Sequence, residues 1–437
     1  MVLAFAAAAI VGTCLLRLPL AAAAESDHGW LTALFTATSA VCVTGLVVVD
    51  TGSAWSPFGQ VVIALLIKGG GLGILSLGAL VALATGRRLG FTERQRLQAQ
   101  TNAASVGGIV RFVRAMIVFT TSAELLGALV LWPRFAQVEG LWPGAWSALF
   151  HALSAFNNAG FSLHGDSLAR FTGDPWVILV MAGLFVIGGL GLVVVMDLAL
   201  RAGIGNGSGR RRPLTLHTRL ALLGTVVLAL SGWALIGAVE WRNPATLGAL
   251  PLVERPAAAA FQALTPRTAG FTTLDLEGYR VPSTVFTMLL MFVGGSPGST
   301  AGGVKTTTFA VLVLVAVAAA RGRGRVTALG RTIDPSTVTK AAALATLGAL
   351  LIVAAITVLT LTDPGLPALA VIFESVSAFG TVGLSLGVTS EFSAAGKLVL
   401  VALMFVGRVG LLTVALALAA DDTRPAARYP REDVIVG

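Results

Sequence analysis

The chain has 437 residues, 56% of them hydrophobic and only 12% charged, with a mean hydropathy of +0.86. That balance excludes an ordinary soluble domain and points to a protein of the lipid membrane. The net charge of +9 would suit nucleic acid, but its placement argues against that. Arg87, Arg88, Arg94, Arg96, Arg111 and Arg114 fall in one connection, and Arg201, Arg210, Arg211, Arg212 and Arg219 in a second. Arg321, Arg323, Arg325, Arg331 and Lys340 fall in a third, and Arg424, Arg428 and Arg431 in the tail. Clusters of this kind set topology, so these segments and both termini are expected on the cytoplasmic side; binding of anionic lipid or an acidic partner is the other reading.

The apolar runs are continuous rather than alternating, which predicts helices and not a β-barrel. The first unit reads as a span over 2–20, a half-length helix over 30–39, a loop over 40–46 and a second span over 61–85. Residues 1–24 also suit a secretory signal, but no basic n-region is present, and we read them as the first span. The second unit has a span over 109–131, a half-helix over 145–155, a loop around Gly160 and a span over 176–200. The third has 220–238, 256–264, a loop at Gly270 and a long segment over 284–320. The fourth has 338–361, 368–378, a loop at Gly383 and 397–420. The predicted fold is therefore all-α and membrane-integral, with four helix, half-helix, helix repeats over 1–86, 107–201, 217–321 and 336–420, followed by a tail over 421–437. Half-helices of about ten residues are too short to cross a bilayer. They are re-entrant in this reading and amphipathic turns of external loops in the alternative.

One short element recurs in all four units: Val43-Thr44-Gly45-Leu46, Asn158-Ala159-Gly160-Phe161, Thr268-Ala269-Gly270-Phe271 and Thr381-Val382-Gly383-Leu384. Each follows a short, aromatic-led apolar stretch: Phe35 to Ala40, Phe150 to Phe156, Phe261 to Leu264 and Phe373 to Phe379. Four such loops around one axis can turn backbone carbonyls inward and replace the hydration shell of a potassium ion. A half-helix ending at each loop adds about half a negative charge there. The third unit is one residue shorter between its aromatic and its glycine, with Pro266 in the gap, which leaves its loop geometry open.

A second glycine element follows each loop: Gly70-Gly71-Leu72-Gly73, Gly188-Gly189-Leu190-Gly191, Gly294-Gly295-Ser296-Pro297-Gly298 and Gly407-Arg408-Val409-Gly410. Close helix packing explains the first two. The run Gly294-Gly295-Ser296-Pro297-Gly298-Ser299-Thr300-Ala301-Gly302-Gly303 breaks its span and is expected to form a loop across the pore below the filter, as a gate or as a static kink. Lys305 and Thr306 give it a passing likeness to a phosphate-binding loop, which fails because Val304 separates Gly303 from Lys305. Arg408 lies in an apolar stretch and has to face protein or water. It either faces the pore at the level of that loop, the reading adopted, or pairs with Glu124, for which Lys68 is the other partner. Arg267 should turn away from the ions behind the third loop. Asp50, Asp166 and Asp275 follow their loops by five or six residues and either decorate the outer mouth or are incidental. Cys14 and Cys42 suggest neither metal nor disulfide.

These segments together resemble the Trk/Ktr/HKT superfamily. They include Ala37 to Leu46, Ser154 to Phe161, Arg267 to Phe271, the Gly294 to Thr308 stretch and Met404-Phe405-Val406-Gly407-Arg408-Val409-Gly410. Within the superfamily the likeness is to KtrB-type membrane subunits and covers essentially the whole chain, down to Tyr429-Pro430 and Val434-Ile435-Val436-Gly437. TrkH-type relatives usually carry two further N-terminal helices, which are not expected here. The resemblance implies a pseudo-fourfold, potassium-channel-like pore in each protomer of a homodimer. It implies gating by a cytosolic ring of nucleotide-binding RCK subunits (KtrA-type), which would carry ATP or ADP. It makes Gly45, Gly160, Gly270 and Gly383 the filter glycines, and Arg408 with Gly294 to Gly303 the gate. Gly45, where some sodium-favouring relatives carry serine, implies potassium selectivity, with sodium a stimulating ion.

Two other classes are weaker. A carrier with a closed central site would need helix breaks in corresponding places of two halves, whereas sequence shows an obvious break only in the third unit. An intramembrane enzyme would need a nucleophile with a base or paired carboxylates, and His28, His151, His164 and His217 are scattered along the chain.

Overall fold

A computed structural model describes residues 2–23, 29–73, 106–203 and 213–410, with side chains of the third segment from residue 113. The Arg87 to Arg96 cluster, Arg210 to Arg212, His28, the end of the last span and the basic tail lie outside the described residues.

Each unit contributes a helix, a half-helix and a second helix. The first has α1 (Val2–Leu16), α2 (Trp30–Val41) and α3 (Pro57–Leu72). The second has α4 (Val106–Glu139), α5 (Leu141–Phe156) and α6 (Pro175–Arg201). The third has α7 (Leu216–Glu240), α8 (Arg255–Leu264) and a second span divided into α9 (Val281–Phe292) and α10 (Thr306–Ala320). The fourth has α11 (Pro335–Thr362), α12 (Ala368–Gly380) and α13 (Ala394–Val409). Proline at the first helical turn opens α3, α6, α8, α9 and α11, where its missing N–H costs nothing. Ser56, Asp174, Asp334 and Ser393 cap α3, α6, α11 and α13 through their side chains. Among the described residues four helices are long and apolar enough to cross a bilayer: 113–139 within α4, α6, α7 and α11. The third basic connection also forms a two-stranded hairpin, Thr327–Ala328 (β1) with Arg331–Thr332 (β2), turning on Leu329 and Gly330 at positive φ.

The packing order closes a ring. The second helix of each unit rests on the half-helix of the next: α3 on α5, α6 on α8, α9 on α12, and α13 back on α2. The buried clusters follow the same order. Phe150 and Phe161 join the first unit's core, Phe261 and Phe271 the second's, and Phe35 and Leu46 the fourth's. Large apolar side chains such as Leu126, Leu179, Val227, Leu350 and Leu361 point outward, the inverted arrangement that lipid permits. All eight tryptophans, at 30, 55, 132, 142, 146, 176, 233 and 241, lie at or within two turns of the half-helix side of the ring, as an interfacial belt does.

The second glycine element acts in all four units, which corrects the expectation that the first two only pack helices. Gly70, Gly188 and Gly407 do pack. A Cβ there would lie 1.9 Å from the Val41 carbonyl oxygen, 1.9 Å from that of Phe156 and 2.0 Å from that of Phe379, each at or next to the end of a half-helix. The fourth residue of each element then leaves the helix, with Gly73 at φ 73°, Gly191 at φ 77° and Gly410 at φ 91°. The described helices of the first and fourth inner spans end at this glycine, the second is kinked at it, and the third opens into a loop at the same place. Gly188→Ala is expected to lower stability by about 1–3 kcal/mol or more, read as a depressed unfolding midpoint in detergent. Gly183→Ala on the same helix, where a Cβ meets nothing within 4 Å, should leave it unchanged or raise it.

Candidate functional site: a four-loop ion path

At the end of each half-helix the chain adopts the same unusual backbone. Val43, Asn158, Thr268 and Thr381 have φ of 56°, 58°, 71° and 51°, and Gly45, Gly160, Gly270 and Gly383, two residues on, have φ of 94°, 67°, 78° and 91°. The residue between has negative φ in every unit. This alternation turns successive carbonyls to one side, where a helix or strand would align or alternate them. Positive φ is costly for β-branched Val43, Thr268 and Thr381, about 1–3 kcal/mol each. Hydrogen bonds back onto the half-helix help hold it: Thr44 N to Ser39 O (2.8 Å), Ala159 N to Ser154 O (2.8 Å) and Val382 N to Ser377 O (2.9 Å).

The third unit reaches the same conformation with one residue fewer. Ala269 N donates to Thr265 O at 2.9 Å, four residues back instead of five, and Gly270 N reaches the same oxygen at 3.4 Å. The deletion at Pro266 is absorbed between half-helix and loop, and the loop itself is spared.

The four loops meet in a ring. A Cβ on Gly45 would stand 2.4 Å from the Ala159 carbonyl oxygen, on Gly160 3.1 Å from that of Ala269, on Gly270 2.3 Å from that of Val382, and on Gly383 2.2 Å from that of Thr44. Each glycine therefore makes room for the carbonyl of the next unit, and no side chain fits at any of the four corners. Above the ring lies a vestibule of about 470 Å³ lined by Asp50, Asp166, Asp275 and Glu277, together with the four glycines. The three predicted aspartates are thus brought together at one mouth. Asp50 also accepts from Ser53 N at 2.7 Å, and Asp166 pairs with Arg170 at 2.7 Å. Burial works to raise the Asp166 pKa, but the hydrogen bond and charge of Arg170 prevail and hold it below the usual carboxylate range.

Below the ring lies the loop Gly294 to Gly303. Gly294 N donates to Val304 O (2.8 Å) and Thr306 N to Gly295 O (3.0 Å), pinching its base. Ser296 N donates to Gly189 O (2.9 Å), and Thr300 Oγ1 to the Asn158 side-chain oxygen (3.1 Å), fastening it to unit two. Gly302 lies so close to Thr381 of unit four that a Cβ would fall 2.1 Å from its hydroxyl. Units two and four are opposite corners, so the loop crosses beneath the axis. Arg408 donates to the carbonyls of Thr300 and of Gly70, joining the loop to units four and one. Lys305, which the sequence reading used only to dismiss a nucleotide site, donates to Ala301 O (2.6 Å) and Gly302 O (3.3 Å).

Glu124 pairs with Lys68 (2.7 Å) and accepts from Asn157 (2.7 Å), so Lys68 is its partner and Arg408 is left to the loop. Arg267 turns behind the third loop and donates to Thr306 Oγ1 (2.9 Å), which itself donates to Gly294 O (2.7 Å). The scattered histidines are partly reunited, since His151 stacks on His164 at 4.7 Å and His164 meets Glu139 at 2.7 Å. Three buried carboxylates escaped the sequence reading, Glu240, Asp363 and Glu374. Among the described residues no group of three His, Cys, Asp or Glu could hold a metal ion.

The family model for TrkH, a cation transport protein, matches residues 4–424. The chain belongs to the TrkH family. Members are cation transporters and not enzymes. The Ktr system potassium uptake protein B of Bacillus subtilis is 40% identical over 98% of this chain and 94% of its own length. The potassium/sodium uptake protein NtpJ of Enterococcus hirae is 38% identical with the same coverage. The crystal structure of the potassium transporter TrkH from Vibrio parahaemolyticus superposes with a TM-score of 0.74, covering 96% of this chain and 83% of that one at 20% identity, a likeness of fold. The TrkH-family fold is thus that of four repeats around an ion path. Removing one side of the buried pair, as in Glu124→Leu, is expected to cost about 3–5 kcal/mol, with most of it recovered in Lys68→Met/Glu124→Leu; thermal unfolding of the detergent-purified variants reads both.

Proposed function

We propose that the chain is the potassium-conducting subunit of a Ktr-type uptake system in the bacterial cytoplasmic membrane, with its glycine loops outside and both termini inside. The observation that carries the reading is the closed ring of carbonyls from Thr44, Ala159, Ala269 and Val382, each beside a glycine of the adjacent unit. A potassium ion entering it exchanges hydration water for these oxygens. The vestibule carboxylates concentrate cations at the mouth, and the four half-helices direct the negative ends of their dipoles at the ring. Glycine at all four corners, Gly45 included, supports selectivity for potassium over sodium.

In the same reading the loop Gly294 to Gly303 closes the path and Arg408 is its latch. The guanidinium holds the Thr300 carbonyl and places a cation below the filter. A cytosolic RCK ring binding ATP or ADP, docked on the basic face of a homodimer, opens the pore by shifting the inner helices and so withdrawing Arg408 from the loop, with sodium as a stimulating ion. A second reading, a sodium-permeable or cation-coupled carrier of the same fold, is favoured by the similarity to a relative named for both ions.

Expressed with an RCK partner in cells stripped of their own potassium uptake, the protein should restore growth at low potassium. Gly45→Ser, which presses a side chain toward the Ala159 carbonyl, should become sodium-permissive. Absence of rescue by correctly inserted protein would sink the potassium reading, and rescue by sodium transport in the wild type would favour the second. Arg408→Gln should raise partner-independent potassium flux severalfold; unchanged or lower flux argues against the latch.

A further inference from the structure

The residue following the aromatic in each half-helix is polar and buried: Thr36, His151, Gln262 and Glu374, none more than 1% exposed. Two residues past each filter glycine stand Val47, Ser162, Thr272 and Ser385. In three units these two places are bonded to each other behind the filter. His151 Nδ1 donates to the Ser147 carbonyl at 2.7 Å, which fixes the ring proton there and leaves Nε2 to accept from Ser162 Oγ at 2.9 Å. With its amide oxygen toward the loop, Gln262 accepts from Thr272 Oγ1 (2.9 Å), Thr273 N (3.1 Å) and Leu274 N (3.0 Å). Glu374 accepts from Ser385 Oγ and, on its other oxygen, from Thr389 Oγ1 at 3.1 Å. The three side chains differ in charge and shape yet offer the same thing, an acceptor facing a hydroxyl at the same step of the loop.

The first unit breaks the pattern. Val47 has no hydroxyl, and Thr36 Oγ1 is buried without a hydrogen-bond partner. Its filter glycine is held instead from below, by Gly45 N donating to Ser39 Oγ at 3.1 Å.

We infer that His151–Ser162, Gln262–Thr272 and Glu374–Ser385 are positioning straps that fix the outer end of the filter in three units, and that the first unit is the unstrapped corner. This rests on the reading of the ring as a potassium-selective filter. A backbone held at positive φ on non-glycine residues persists only where its surroundings over-determine it. The pore side of the ring cannot supply that constraint, because its carbonyls must stay free for the ion. Buried hydrogen bonds from behind can supply it, and each is costly to leave half-made. The straps touch no ion; they act through the carbonyls they hold in place.

The test removes two of the three straps, Gln262–Thr272 and Glu374–Ser385, from their loop side, sparing the half-helix. Thr272→Val and Ser385→Ala lose the hydroxyl, whereas Thr272→Ser and Ser385→Thr keep it. Potassium and sodium uptake are measured for each in cells lacking other potassium transporters, alongside hydrogen exchange of the purified protein over 268–274 and 381–386. The hydroxyl-less variants should lower the potassium-to-sodium ratio roughly threefold to tenfold, the scale of one buried hydrogen bond, and speed exchange in the affected loop. The hydroxyl-keeping variants should restore both. A wild-type ratio and wild-type exchange in Thr272→Val and Ser385→Ala would overturn the straps, as would equal loss of both ions at an unchanged ratio. Wild-type protein that fails to select potassium would instead overturn the underlying function, and the exchange measurement would still decide whether the bonds hold the loops.

Discussion

The structure depends on one awkward requirement, that backbone carbonyls be left without donors inside a membrane. A chain in lipid normally satisfies every carbonyl within its own helix, because an unpaired one costs several kcal/mol. Here four consecutive units end a half-helix early and turn the next residues into left-handed backbone, so that the Thr44, Ala159, Ala269 and Val382 carbonyls each lie beside the glycine of an adjacent unit. The closed packing order, the clamped glycines behind three of the half-helices and the hydrogen bonds onto Ser39, Ser154, Thr265 and Ser377 all serve to hold that arrangement.

The region beneath the ring follows a second rule, that a charge at membrane depth has to be met by something polar. Three cations lie near this level, and they are met differently. Lys68 has a carboxylate in Glu124. Arg408 and Lys305 have only carbonyls: those of Lys305 belong to the crossing loop, and those of Arg408 are one in the loop, Thr300, and one in α3, Gly70.

Much of this was legible in sequence, for identifiable reasons. The four glycine loops recur at nearly even spacing, and glycine at a position needing both positive φ and no Cβ leaves a mark that composition alone does not. Pro297 within five glycines marked the interrupted span equally clearly. What was not legible depended on contacts across units. The choice of Lys68 over Arg408 as partner for Glu124 is settled only when α3 and α4 are placed side by side. The breaks at Gly73, Gly191 and Gly410 look like ordinary packing glycines in sequence, since flanking residues are good helix formers. Glu374 and Gln262 drew no attention because one polar residue in an apolar half-helix is unremarkable until its counterparts in the other units are aligned with it.

The ring's packing order has a consequence for how the molecule is made. Each half-helix is sandwiched between its own unit and the second helix of the unit before it, so α2, among the first segments to leave the ribosome, receives its last neighbour, α13, only when nearly the whole chain has been synthesised. Until then the Thr44 carbonyl of the first loop has no Gly383 from the fourth to abut, and the polar face of α2 stands open at membrane depth. The nascent protein must therefore wait, for most of its synthesis, as an unclosed crescent. Closure of the circle is at once the last step of assembly and the first moment at which an ion path exists.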